Sequence, residues 1–434
     1  MATTYLTRTS GTPTDSKKTT LSVWLKRSGL GTGTFFGGGA DSNNMTFINF
    51  NPNGKIFLQS SSSGSNTLVF VTTQVFRDTS AWYHIVVAID TTQGTASNRV
   101  KLYVNGVQVT AFDTETQPSQ NLELEWNKSG KTLEIGKYLF QSTYSLYDGS
   151  MSYVSFVDGT QELPTVFGET DSTTGEWKIK TDITPSVAWG NNGFLILKNG
   201  NSLTDESSNS NNFTLGGGTL TETKDCPDNV FCVLNDLDTT RVLSNGNTTY
   251  AGDASGTVVK GTLGMLSGKY YAECKILSAA QNMIGVLSIA QAPTTVFVGA
   301  SAVGWGLFGD GTLYNNSSAT SNFSNSFSDN DIMGIALDMD NNKLYFSKNG
   351  VWQNSGDPTS GATGTGAVSI TSGLTMTFSG GRDSASDTAD FNFGNGTFGT
   401  TAIASAGTNA SNNGVFEYDV PTGYTALSTK GLNL

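Results

Sequence analysis

The stretch from 80 to 109 constrains the fold of this chain most, because it has the pattern of two β-strands and a tight turn. Large apolar residues recur with a period of two on one face of the first strand: Tyr83, Ile85, Val87 and Ile89. The second strand alternates apolar with polar residues, which predicts that Lys101 and Tyr103 face solvent. Asn105-Gly106 then tolerates positive φ, as a two-residue hairpin turn requires. The stretch therefore predicts a sandwich of antiparallel sheets.

The same pattern recurs far downstream, where residues 343–350 (KLYFSKNG) echo residues 101–106 (KLYVNG). Further runs predict strands in both halves of the chain: 20–26, 45–50, 55–59, 67–72, 122–126, 132–135, 150–157, 269–276, 283–289, 303–307, 332–337 and 389–393. Asn53-Gly54 predicts another hairpin turn. Since no run has sustained helical periodicity, we expect an all-β protein.

The length of 434 residues exceeds one core of average size and predicts two or three domains. We expect a first β-unit over 1–160 and a second over 246–434, the latter ending in a C-terminal tail. The segment 161–245 contains Trp177 and Trp189 between polar stretches. These aromatics predict a partly ordered connector, since a disordered spacer carries few of them.

The formal net charge is −12, and only 14% of residues are charged. This balance disfavours nucleic acid and anionic membrane surfaces, which require clustered Lys and Arg. No apolar run approaches the roughly 20 residues that cross a bilayer. The N-terminus lacks an apolar h-region, so we expect no signal peptide and synthesis in a cytoplasm. Extracellular action would then need another route, such as assembly into a virus particle.

The three cysteines, Cys226, Cys232 and Cys274, are too few and of the wrong parity for a disulfide framework. Pairing of Cys226 with Cys232 and three free buried thiols both stay open at this point.

Two families share motifs with this chain. WYHIVVAID (82–90) and VKLYVNGVQV (100–109) resemble the laminin-G-like branch of the concanavalin A-like sandwiches. GKYYAECKI (268–276), GIALDMDNNKLYFSKNGVW (334–352) and DFNFGN (390–395) resemble SPRY domains. Together these resemblances imply two concanavalin A-like jelly-roll β-sandwiches joined by the connector.

The connector motifs FGETDSTTGEWKIK (167–180) and LTDESSNSNNFTL (203–215) resemble structural proteins of marine tailed phages. Those proteins carry a laminin-G-like domain before a SPRY-like one. The resemblance covers nearly the whole chain and implies a bacteriophage virion protein in a tail fibre, a capsid fibre or a capsid decoration.

Concanavalin A-like folds include glucanases, whose chemistry needs two carboxylates about 5–9 Å apart. Glu123 and Glu125 are the best local pair, and a strand over 122–126 would place both on one face. Trp126 would project to the other face, and the glucanase spacing Glu-x-Asp-x-x-Glu is absent. His84, the only histidine, sits in a predicted strand and suggests a structural role. We therefore expect no enzyme and no catalytic residues.

Calcium is the one cofactor that the sequence leaves open, because it needs only oxygen ligands. Asp148 is the candidate metal ligand. The acidic run 338–342 lacks the Gly and distal Glu of an EF-hand, so a hairpin turn is the better interpretation. Trp126, Tyr144 and Tyr147 fall near predicted loops and are candidate ligand-binding residues that would stack on a sugar ring.

The resemblance to phage structural proteins, together with the low charge and the lack of a catalytic constellation, implies a non-enzymatic virion surface protein, a fibre or adhesin that presents binding loops to host-surface glycan. One alternative is a structural capsid or tail decoration or anchoring protein without a ligand, and another is a glycan hydrolase. The expected partners are other virion proteins and host-surface carbohydrate. We also expect a homo-oligomer or a symmetric array on the particle, with assembly in the host cytoplasm.

Overall fold

The computed structural model describes residues 4–138, 140, 146–252, 257–279, 281–292, 297–382 and 386–433. The chain divides into two units, Met1–Leu220 and Thr221–Leu434, and each has its own hydrophobic core. The predicted connector, 161–245, contributes residues to both units. This division does not test the predicted boundaries at 160 and 245, which stay predictions.

The strands of the first unit are, in chain order, β1 (Tyr5–Thr9), β2 (Lys18–Arg27), β3 (Gly33–Asp41), β4 (Asn44–Phe50), β5 (Lys55–Ser62), β6 (Ser65–Val75), β7 (Trp82–Asp90), β8 (Val100–Val104), β9 (Val107–Gln108), β10 (Phe112–Thr116), β11 (Thr132–Ile135), β12 (Gly149–Asp158), β13 (Gly168–Thr170), β14 (Trp177–Ile179), β15 (Phe194–Ile196) and β16 (Thr214–Gly217). Its helical segments are short 3-10 turns at Ala96–Asn98, Glu125–Asn127, Pro164–Val166 and Thr184–Ser186.

Two antiparallel sheets form the sandwich of the first unit. One has the order β10-β6-β5-β4-β3-β11-β1-β16, and the other has the order β15-β12-β2-β7-β8-β9. Ile48 and Phe70 from the first sheet share one buried core with Ile85 and Val87 from the second. The face of β7 that the period-two pattern predicts to be buried is therefore the face between the sheets.

The opposite face of β7 and β8 is also buried. Val86, Ala88 and Tyr103 pack there against Phe167 and Trp189 from the predicted connector. Tyr103 is 7% exposed, so the prediction that its side of β8 faces solvent is wrong. The reason is that a segment distant in sequence covers the sheet, which the alternation within one strand does not reveal.

A buried carboxylate ties three segments of the first unit together. Oδ2 of Asp158 accepts hydrogen bonds from the backbone N–H groups of Thr14 (2.7 Å) and Asn192 (3.0 Å). Oδ1 accepts from the backbone N–H of Asp15 (3.3 Å) and from Nδ2 of Asn127 (2.8 Å). The connector around Asn192 is thus held to the end of β12 by directed polar contacts.

The strands of the second unit are β17 (Leu243–Ser244), β18 (Thr249–Tyr250), β19 (Val259–Lys260), β20 (Lys269–Ser278), β21 (Met283–Ser288), β22 (Gly304–Phe308), β23 (Leu313–Asn315), β24 (Ser318–Thr320), β25 (Ile332–Asp338), β26 (Lys343–Lys348), β27 (Val351–Trp352), β28 (Val368–Ser369), β29 (Met376–Gly380), β30 (Thr388–Asn392), β31 (Thr397–Phe398), β32 (Thr401–Ala402) and β33 (Thr425–Ala426). Short 3-10 segments lie at Asp236–Asp238, Pro358–Thr363 and Gly431–Asn433.

The second unit is also a sandwich. One sheet runs β17-β18-β30-β20-β25-β26-β27, with β28 beside β26 and β33 parallel to β20, and the other runs β19-β29-β21-β22-β23-β24. A C-terminal segment covers the outer face of the first of these sheets, where Phe416 and Tyr424 pack against Tyr271 and Tyr345. The all-β prediction with two sandwiches is confirmed.

A buried carboxylate also fastens this C-terminal segment. Glu273 on β20 is fully buried and accepts hydrogen bonds from the backbone N–H groups of Glu417 and Tyr418, both at 2.8 Å. The side chains of Asn392 and Tyr271 donate to the same carboxylate at 3.2 Å. Burial nevertheless raises the pKa of Glu273 from 4.5 to about 7, since desolvation of the charge outweighs these hydrogen bonds.

The predicted Asn-Gly hairpin turns are confirmed. Asn105 and Gly106 have φ of 48° and 79°, and Asn349 and Gly350 have φ of 49° and 80°. Gly54, at φ 76°, ends the loop between β4 and β5.

The cysteines of the chain, Cys226, Cys232 and Cys274, are all free, so the open question of a pair between 226 and 232 is answered against the disulfide. Within the described residues, the helices are all too short or too polar to span a membrane.

Candidate functional site

A cleft of about 170 Å³ opens at one edge of the first sandwich, where the chain crosses from β9 in one sheet to β10 in the other. β9 and β10 are the end strands of their sheets, so this edge of the core is not closed by a further strand. The cleft is lined by Phe70, Ser97, Val100, Lys101, Leu102, Gln108, Val109, Thr110, Phe112, Glu115 and Gln117.

The floor of the cleft is apolar. Phe70, Val100 and Leu102 are core residues with 2% or less of their surface exposed. Phe112 is half-buried above them, and its ring centroid lies 4.8 Å from that of Phe70 at an interplanar angle of 46°. An aromatic ring with one accessible side is thus set at the entrance to the core.

The strand register directs a carboxylate into this cleft. Glu115 is the cross-strand partner of Phe70, so it lies on the same face of the sheet, but at the rim of the cleft, where it stays exposed to solvent. Nε2 of Gln117 donates hydrogen bonds to Oε1 of Glu115 (3.0 Å) and to the carbonyl of Val100 (3.4 Å). Gln117 therefore orients the carboxylate, while its own Oε1 is buried without a partner.

Glu115 has no ion-pair partner among the described residues. Lys101 is the one basic residue of the lining, but it pairs with Ala88, which belongs to the cluster on the opposite face of the sheet. The charge that faces into the cleft is therefore negative. A single carboxylate above aromatic and aliphatic side chains is suited to binding by contact and hydrogen bonding.

Of the predicted sugar-stacking residues, two lie in the core. Trp126 is 0% exposed and packs between the sheets against Phe36 and Phe156. Tyr147 is 6% exposed and packs against Phe35. Burial leaves neither ring a free face for a sugar, which corrects their assignment as binding residues. Tyr144 lies outside the described residues.

The candidate metal ligand Asp148 is exposed. Within the described ranges, groups of three or more His, Cys, Asp or Glu side chains in metal-binding proximity are absent. The acidic run 338–342 forms the turn between β25 and β26, as the hairpin interpretation predicts. Asp338 is used there by Asn341, whose N–H and Nδ2 donate to it at 3.0 and 2.8 Å.

The carboxylate pair considered for hydrolysis is not on one face. The segment predicted as a strand over 122–126 instead contains the 3-10 turn Glu125–Asn127, because the chain turns inward to bury Trp126. Glu125 is 3% exposed and pairs with Lys128 at 2.5 Å. Glu123 is exposed and accepts a hydrogen bond from Ser16. The two carboxylates therefore do not share a cleft.

His84 is fully buried, with one indole ring stacked on its face and a second hydrogen-bonded at its edge. Its ring centroid lies 4.6 Å from that of Trp24 and 5.9 Å from that of Trp177, and all three rings are nearly parallel. Nε1 of Trp177 donates to Nδ1 of His84 at 3.0 Å, so the ring proton is on Nε2, which donates to Oγ of Ser22 at 2.8 Å. Burial lowers the pKa of His84 from 6.5 to about 3.

The sequence interpretation missed the residues that form the cleft. β10 has the sequence FDTET, in which one aromatic residue is followed by polar residues and which shows little of the pattern of a core strand. The sequence does place an aromatic residue, Phe112, a few residues before Glu115 and Gln117 and a few residues after the Asn105-Gly106 turn. That arrangement does not identify β6 as the partner of β10, and this pairing determines the face of the sheet on which Glu115 lies.

Comparisons with known proteins bear on both units. Residues 1–162 match the family model of the concanavalin A-like lectin/glucanases superfamily, laminin G type. Residues 269–394 match the family model of the SPRY domain. No curated protein matches the chain in sequence. Domains of these kinds are typically carbohydrate- or protein-binding modules.

Solved structures give local likenesses. The SPRY domain of human HERC1 is 16% identical, with 36% of this chain and 96% of that chain covered and a TM-score of 0.30. The heptameric SAP-like pentraxin from Limulus polyphemus is 18% identical over 37% of this chain and 71% of its own, with a TM-score of 0.27. The TRIM65 PSpry domain is 14% identical over 37% and 88%, with a TM-score of 0.30.

The domain assignment rests on the two family models and not on these structural likenesses. The chain therefore carries a laminin G-like domain of the concanavalin A-like superfamily, followed by a SPRY domain.

Proposed function

We propose that this chain is a non-enzymatic bacteriophage virion surface protein, a fibre or adhesin that binds host-surface glycan. The observation that carries the proposal is the cleft between β9 and β10, where the half-buried ring of Phe112 lies beside the inward-facing carboxylate of Glu115. A pyranose ring has an apolar face for an aromatic side chain and hydroxyl groups for a polar rim.

The volume of the cleft limits the size of the ligand. A cavity of about 150 Å³ holds a six-membered ring such as benzene, and the cleft measures about 170 Å³. One sugar residue fits this space, so the ligand is the end or a side branch of a glycan. The place of the protein on the particle is part of the proposal, and its support is the resemblance of 167–180 and 203–215 to marine phage structural proteins.

The first experiment measures glycan binding by the purified full chain on an array of host-surface polysaccharides. Phe112→Ala is expected to weaken binding roughly three- to tenfold, the value of one aromatic contact. Thr116→Ala is the matched control, since Thr116 lies on the same strand, is exposed and is not part of the lining. Equal loss in both variants would count against the cleft.

The second experiment asks whether the free chain competes with phage for adsorption to host cells. Competition that Phe112→Ala weakens supports an adhesin. A chain that binds no glycan and does not compete would refute the adhesin and leave the structural decoration or anchoring protein as the better description. Labelling of intact particles with an antibody to the chain tests its location on the virion surface.

A further inference from the structure

The chemistry of the cleft narrows the class of glycan, on the condition that the proposed function is right. The ionised group that faces inward is an acceptor, Glu115, and its carboxylate has no cation beside it among the described residues. Oε1 of Gln117 in the same wall is an acceptor without a partner. The amide hydrogens of Gln117 are engaged with Glu115 and the carbonyl of Val100.

A ligand group that enters this space must therefore donate hydrogen bonds. A carboxylate or sulfate on the ligand would face Glu115 with like charge, which disfavours binding. An ammonium group has three donors and a positive charge, and it forms a charge-assisted hydrogen bond to a carboxylate. It also gains from the face of an aromatic ring nearby, here that of Phe112.

We propose that the cleft recognises an amino sugar with a free, protonated amine. The sugar ring rests on Phe112 and the floor formed by Val100 and Leu102, and the ammonium group donates to Glu115. Gln117 is a positioning residue, because it holds the carboxylate toward the cleft. An N-acetylated sugar of the same ring size fits the floor but replaces the charged donor by one neutral amide N–H.

The test compares a β-1,4-linked glucosamine trimer with its N-acetylated counterpart in titration calorimetry of the full chain. We expect the wild-type chain to bind the free-amine trimer about three- to fivefold more tightly, the factor that a charge pair at a solvent-exposed carboxylate supplies. Glu115→Gln is expected to abolish this preference. The preference should also weaken as salt is raised, because the site is open to solvent.

Asp113→Asn is the matched control. Asp113 lies on the same strand and carries the same charge, but its carboxylate accepts from Lys55 and Thr73 and is not part of the lining. This variant should keep the preference for the free amine. Thermal unfolding of both variants verifies that the edge strand is intact.

Equal affinity for the two trimers in the wild type, or a preference that survives in Glu115→Gln, would overturn the inference. If the chain binds neutral glycans through Phe112 but shows no preference for the amine, the amino-sugar assignment fails and the proposed function stands. If it binds no glycan of any kind, both fail together.

Discussion

Acid should destabilise the first unit through His84, the one histidine of the chain. In the folded state Nδ1 of His84 accepts the indole N–H of Trp177, and the imidazole face stacks on Trp24. Protonation would set an Nδ1–H against the Nε1–H of Trp177, so the hydrogen bond would be replaced by two facing donors. It would also place a charge in a fully buried position.

The pKa of His84 gives the magnitude. Burial lowers it from 6.5 in the unfolded chain to about 3 in the folded chain, so the unfolded state binds the proton more tightly. The stability due to the neutral ring is complete above pH 6.5 and is lost as the pH falls toward 3. The whole shift corresponds to ~5 kcal/mol, of which about 2 kcal/mol is lost between roughly pH 7.5 and 5.

Urea unfolding of the wild type and of His84→Gln isolates this contribution. Gln cannot take up a proton in this range, and the carboxylates titrate alike in both proteins, so they cancel in the difference. Five of the seven tryptophans, Trp24, Trp82, Trp126, Trp177 and Trp189, lie in the first unit, which makes fluorescence the suitable probe. The variant is less stable at pH 7.5, because the stacked ring is lost, and the gap to the wild type should shrink by about 2 kcal/mol at pH 5.

A gap that stays constant over this pH range would refute the reasoning, because it would mean that His84 takes up no proton on unfolding. The same result would contradict the burial of the His84 ring. A gap that widens in acid would contradict the direction of the pKa shift itself.

Two further predictions concern the buried carboxylates. Burial raises the pKa of Glu273 from 4.5 to about 7. The contribution of Glu273 to the free energy of unfolding is therefore fullest below about pH 4.5 and falls by ~3 kcal/mol as the pH rises through 7. Thermal unfolding of the second unit should be less pH-dependent between pH 5 and 8 in Glu273→Gln than in the wild type. Asp158→Ala leaves N–H donors of Thr14, Asp15, Asn127 and Asn192 without their acceptor. It should lower the free energy of unfolding of the first unit, measured in urea, by about 3–5 kcal/mol. Asp158→Asn keeps one acceptor oxygen and should lower it by about half as much.

The strands that pack between the sheets were predictable because a side chain on a strand alternates between two faces. Tyr83 to Ile89 and Val100 to Val104 follow this rule, and the core confirms it for Ile85, Val87 and Leu102. The rule fails where a face is covered by a segment distant in sequence. The alternation therefore wrongly predicts that Tyr103 faces solvent, since nothing near it in the chain identifies Phe167 and Trp189 as its neighbours.

The candidate site was not predictable for a related reason. An aromatic residue near a predicted loop is a plausible ligand contact, but Trp126 and Tyr147 turn inward and fill the core. Phe112 and Glu115 face the cleft only because β10 pairs with β6 in a register that contains a bulge between 112 and 114. A shift of one residue would turn Glu115 to the outer face of the sheet. The site thus depends on a register that the local sequence does not specify.

The similar segments 101–106 and 343–350 also share hydrogen-bond contacts that the sequence alone does not show. Oδ1 of Asn105 accepts the backbone N–H of His84, and Oδ1 of Asn349 accepts the backbone N–H of Ile332, both at 2.8 Å. This contact explains why the first turn residue is Asn in both hairpins, since Gly would also allow positive φ but has no side-chain acceptor.

The second turn residue is restricted by packing in both domains. A Cβ on Gly106 would lie 2.5 Å from the ring of Trp177, and a Cβ on Gly350 would lie 2.7 Å from the ring of Tyr418. Each ring belongs to a segment that lies about 70 residues downstream of its hairpin and packs on the outer face of the sheet. The two hairpins therefore share three features: a turn that needs positive φ, an Asn that binds the neighbouring strand, and a Gly that admits an aromatic ring. Only the first is visible in the sequence, and the other two arise when the covering segments dock.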